Sequence, residues 1–193
     1  MIVRVCIARY NEDIEWANNL KYPYTIISKE GIPQDTGINK GNEASSYLQF
    51  IIDNYNNLPN YTAFVHGHRT SHHIKGNTDD VINNLVFDKD YFNFADAPVY
   101  RLSDFPNSYY FFKDSVSELN NILNKNIDPD KIIYKTSGTF YVKRESILKH
   151  SKQVYERLLE FLYNHKLNSF HTGRIFEYIY HIMFTGELVD HSF

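Results

Sequence analysis

Short apolar runs alternating with an amphipathic helix fill the first third of the chain, and that alternation constrains the fold most. Residues 2–8, IVRVCIA, form a β-branched run with one charge, the pattern of a strand covered on both faces. Asn11 is placed to cap a short helix reaching residue 20, with Glu12 and Asp13 in its first turn, before Pro23 breaks it. YTIIS at 24–28 reads as the next strand, and the glycines and proline of GIPQDTGINKG at 31–41 make that stretch a loop. From 42 to 57, Ala44, Leu48, Ile51, Ile52 and Tyr55 recur on one stripe of a helix that Pro59 ends. TAFV at 62–65 is a third strand. Strand, helix, strand, helix, strand at this spacing predicts an α/β fold. Its central sheet is expected to be mostly parallel, with helices on both faces and the C-terminal helices packed against it.

The remaining sequence supplies more of the same elements. A short helix is expected over 79–86, another within 107–123, and a strand over 138–142 that turns into a helix at Lys143, Arg144 and Glu145. Residues 151–165 are amphipathic, and Thr172 is placed to cap a last helix running to about 184. Nothing in the sequence reads as a linker, so residues 1–193 are expected to form one domain. The formal charge of −3 excludes a general nucleic-acid binder that works by bulk positive charge. No apolar run approaches the ~18–20 residues that span a bilayer. The first residues look like a strand, not a signal peptide, so a cytoplasmic protein is expected. The single cysteine, Cys6, precludes an intrachain disulfide and reads as a buried core residue.

Ligands of open α/β sheets sit at the carboxyl ends of strands. Three polar clusters fall at such ends: Arg9-Tyr10-Asn11-Glu12, Lys29-Glu30, and HGHRTSHH at 66–73, which holds four of the nine histidines. Residues i and i+2 of an extended segment share a side. His66 and His68 can therefore face one zinc or manganese ion, with His72 a third ligand if the chain turns. The alternative is a polar loop with solvated histidines. On the last helix, Arg174, Glu177 and His181 form a polar stripe at i, i+3 and i+7. It reads either as a general base with a partner imidazole or as an ion-pair stripe. Residues 131–166 carry eight Lys/Arg against three Asp/Glu. Most of that excess is solvated helix surface, but Lys143, just past a strand, can meet a phosphate.

Together, VCIARYNEDIEW, NKGNEASSYLQFIIDNYNNLPNYTAFVHGH, SGTFYVKRESILKHSKQVYERLL and GRIFEYIYHIMF resemble a domain family of uncharacterised function found mainly in fungi and also in viruses and other microbes. That family in turn looks like a compact GT-A glycosyltransferase, the nucleotide-sugar fold. The resemblance implies a nucleotide-contacting loop at 8–12, with Asn11, Glu12 and Glu30 on base or ribose. It also implies a metal-binding Asp-x-Asp where this chain has His66-Gly67-His68, and the strand GTFYVKRES on the acceptor side.

The activity implied is transfer of a sugar from a nucleoside diphosphate to a hydroxyl of a carbohydrate or glycoprotein acceptor. The leaving diphosphate would be neutralised by a divalent metal, manganese or zinc, or by basic residues such as Lys29, Arg69 and Lys143. Glu177 and His181 are the candidate proton-transfer residues. Two other classes remain open. One is a metal-dependent hydrolase built on the HxHxxxHH cluster, although Ser71 stands where that pattern keeps an Asp. The other is an inactive carbohydrate-binding module.

Overall fold

The computed structural model describes residues 1–192. Its first strand, β1 (Val3–Arg9), lies inside the sheet, where Val5 and Ile7 join one apolar core and Cys6 and Ala8 the other. A β-branched run buried on both sides requires that arrangement. β2 (Tyr24–Ser28) and β3 (Tyr61–His66) flank β1, both parallel to it. Between them lies α1 (Asn42–Asn54), prolonged by a 3-10 turn at Tyr55–Asn57. The three apolar runs of the first third are thus neighbouring strands.

The chain continues through α2 (Thr78–Asn84), β4 (Tyr91–Asn93), β5 (Val99–Arg101), α3 (Pro106–Leu123), β6 (Ile133–Lys135), β7 (Phe140–Lys143) and α4 (Arg144–Ile147). It ends with α5 (Lys152–Asn164) and α6 (Ser169–Thr185). The main sheet has the order β2-β1-β3-β7-β4, and β5 pairs with β6 in a second, two-stranded sheet.

The sheet is mixed, which corrects the mostly parallel, GT-A-like sheet expected above. Two pairings are parallel, β1 with β2 and β3; β7 runs against both of its neighbours, and β5 runs against β6. Parallel strands need a helical crossover between them. Although α3 lies between β4 and β7 in sequence, the chain does not enter β7 from that helix: it comes from β6 of the second sheet through residues 136–139 and starts beside the far part of β3, with Phe140 opposite Phe64.

Helices cover both faces. Phe50 of α1, Leu158 of α5 and Phe176 and Tyr180 of α6 pack with Phe64 and Phe140 in the larger core. On the other face, Trp16, Ala17 and Ile82 cover Val5, Ile7, Ala63, Val65 and Tyr141. Two caps differ from expectation. Residues 11–14 form no helix; a 3-10 turn at Glu15–Asn19 follows instead, where the Glu15 N–H donates to Asp13 Oδ1 at 2.9 Å. Asn168, not Thr172, caps α6, its side chain accepting the His171 N–H. No helix among the described residues is long and apolar enough to cross a membrane.

Candidate functional site

A cavity of about 350 Å³ opens where β1 and β3 end and α1 begins. One wall is the segment after β1. The Arg9 Nε–H donates to the Glu12 carbonyl at 2.9 Å, and the Tyr10 N–H donates to Glu12 Oε2 at 2.6 Å, so the Glu12 carboxylate turns back toward β3. There it lies over Gly67, where a Cβ would stand 2.9 Å from Glu12 Oε2. His68 Nε2 is 3.4 Å from Glu12 Oε1. The buried Trp16 ties the two loops together, its indole N–H donating to the Gly67 carbonyl at 2.8 Å. A glycine between two histidines thus admits a carboxylate from the neighbouring strand end.

The floor is the start of α1. Gly41 (φ 72°) and Asn42 (φ 49°) are both left-handed there, and a Cβ on Gly41 would stand 2.5 Å from Leu162 Cδ1. Only glycine suits that position. The buried Lys29 ammonium donates to the Asn42 carbonyl and to Ser45 Oγ. Burial lowers the Lys29 pKa to about 8, against the opposing pull of the Glu43 carboxylate. Burial likewise raises Glu43. Ser46 is 1% exposed and its hydroxyl, on the cavity wall, has no protein partner.

The third wall comes from α6. Glu177 Oε2 accepts the Ser137 N–H at 3.2 Å. Burial, then the nearby Glu43 charge, raises the Glu177 pKa to about 7. His66 shares the cavity, its Nε2 buried without a protein partner and its pKa lowered chiefly by burial. Glu177 and Asn42 also line a second cavity of about 550 Å³, so these two residues border both spaces.

Comparison with known proteins gives one family. The model of a family described as "Protein of unknown function (DUF3431)" matches residues 5–91 and 104–192, nearly the whole chain. The chain belongs to the DUF3431 family. No curated protein matches it, and no solved structure does. The family match connects it with no glycosyltransferase.

In this DUF3431 chain, the first cavity brings together Arg9, Tyr10, Glu12, His66, His68 and Glu177. Other expected residues lie elsewhere. Asn11 is exposed and outside the cavity lining, and Glu30 forms an ion pair with Arg9 at the rim. Lys143 pairs with Tyr61 at the start of β3, roughly 16 Å along the strand from His66. The reversed direction of β7 puts it there. His72 lies against His73, ring centroids 3.7 Å apart and planes tilted by 45°, and lines the second cavity. His181 sits one helical turn beyond Glu177, 1% exposed, its pKa lowered chiefly by burial against the opposing pull of Asp190. Sharing a stripe did not give the two side chains one environment.

Among the described residues, no group of three or more His, Cys, Asp or Glu side chains is placed to hold a metal ion. Glu43 and Ser46 were not singled out from the sequence. Their signal was a polar pair at i and i+3 beside the apolar stripe of α1.

Proposed function

We propose that this chain transfers a glycosyl group from a nucleoside diphosphate sugar to an acceptor hydroxyl, with Glu177 as the base. The observation that carries the reading is that Glu177 lies in the wall between two cavities, where donor and acceptor would meet. The donor occupies the first cavity. Arg9 and Lys29 offset its diphosphate charge there, together with the N–H groups that begin α1. Ser46 Oγ, now without a partner, donates to a phosphate oxygen. The acceptor oxygen attacks the anomeric carbon, the bond from that carbon to the diphosphate breaks, and the acceptor proton passes to the Glu177 carboxylate. The products are a glycoside and a nucleoside diphosphate. A carboxyl with a pKa of about 7 is matched to taking up and releasing a proton near neutral pH.

Calorimetric titration with UDP-glucose, UDP-N-acetylglucosamine and GDP-mannose, each with and without manganese or zinc, tests this reading. Binding of at least one donor is expected. Ser46→Ala should weaken it by roughly fivefold, about one neutral hydrogen bond. The same substitution removes an unpartnered buried hydroxyl, so thermal stability should hold or rise. Failure of all three donors to bind under every condition would overturn the proposal.

A further inference from the structure

We infer that the second cavity and the groove beyond it bind an oligosaccharide chain of at least two pyranose rings. Its role as acceptor rests on the transfer reading; the binding itself does not. The cavity is walled by aromatic rings. Tyr134 and Tyr178 form its back, centroids 4.6 Å apart, and Tyr100 meets Phe105 edge-on at 4.9 Å. At the mouth, Phe105 is 38% exposed and Phe170 52%. The Arg174 guanidinium lies 4.6 Å from the centroid of the Phe170 ring. Phe105, Phe170 and Arg174 also line a groove of about 390 Å³ that continues past the cavity.

A pyranose ring suits this surface chemically. Its C–H face packs on aromatic rings while its hydroxyls reach groups at the edge. The edge carries Asp96, Thr136 and Arg174, which a purely apolar ligand would desolvate without pairing. The length of the ligand follows from α6. Phe170, Arg174 and Glu177 fall at i, i+4 and i+7 on one stripe, so Phe170 lies roughly 10 Å from Glu177 along the axis. One ring with its hydroxyl at Glu177 does not span that distance; a second ring in the same chain reaches Phe170.

The test uses gluco-, manno-, xylo- and chito-oligosaccharides, from monosaccharide to pentasaccharide, titrated into the full chain and read by calorimetry and saturation-transfer NMR. In at least one series, affinity should rise about tenfold or more with length. The double variant Phe105→Ala/Phe170→Ala should abolish that rise. Phe170 is half exposed and Phe105 loses only its edge contact with Tyr100, so a cooperative unfolding transition and unchanged nucleoside diphosphate sugar affinity should accompany the loss. Affinity independent of length, no binding in any series, or a rise that survives the double substitution would overturn the inference. A length-dependent rise in a protein that binds no nucleotide sugar would support it while contradicting the transfer reading.

Discussion

Burial raises the Glu177 carboxyl to about 7 from an ordinary 4.5, so its charge changes within the physiological range. The folded protein then holds the proton more tightly than the unfolded chain. The resulting stabilisation is complete below about pH 4.5 and is lost as pH rises through about 7. Glu177→Gln removes this dependence while keeping an oxygen to accept the Ser137 N–H. Thermal unfolding from pH 5 to 8 should show the variant gaining on the wild type as pH rises, and being the more stable at pH 8. A constant difference across that range would mean that the carboxyl titrates as it does in water. His66 shifts the opposite way and feels the Glu177 charge, which opposes its shift, so the comparison reads Glu177 together with its coupling to His66. The sequence showed that Glu177 was polar among apolar neighbours. It did not show the raised pKa, because that depends on burial in the fold and on Glu43 arriving from α1, against the opposing pull of the Ser137 N–H and His66.

The start of α1 carries the strictest local requirement among the elements. At Gly41 an alanine meets both a left-handed φ of 72° and Leu162 carbons at 2.5–2.7 Å. At Gly31, φ is 77° but nothing lies within 4 Å. Urea denaturation should therefore show Gly41→Ala destabilised by about 2–4 kcal/mol and Gly31→Ala by about 1–2 kcal/mol. Equal losses would mean that α5 yields to the added methyl. Elements with a full apolar period were legible: β1, β3, α1 and α5 fall close to where their patterns put them. β4, β5 and β6 were not, because three residues are too few to show a period of two. Strand direction was not legible either, since alternation reads the same both ways. That ambiguity concealed the reversal of β7 and misplaced Lys143. His181 was grouped with Glu177 because helical spacing reports a shared face and not a shared depth.

Across the whole molecule, the sheet separates two ends with different chemistry. At one end the segments after β1 and β3 converge with the start of α1 and with Glu177. At the other, β7 delivers Lys143 beside the start of β3, where Asp90 is its nearest carboxylate, 3.8 Å away. Of the residues expected at strand carboxyl ends, Arg9, Tyr10, Glu12, Lys29, His66 and His68 line its cavity, and Glu177 joins them from α6. What that expectation lacked was the far side of the cleft, since α6 and the 136–139 turn are distant in sequence and brought near only by folding. The most direct measurement maps amide resonances of the isotopically labelled chain during titration with whichever nucleoside diphosphate sugar binds in calorimetry. The largest shifts should fall on residues 9–12, 42–46 and 66–68, with Ser137 moving as Glu177 is engaged. Shifts centred instead on Lys143 and its neighbours, or spread with no cluster, would contradict the proposed site.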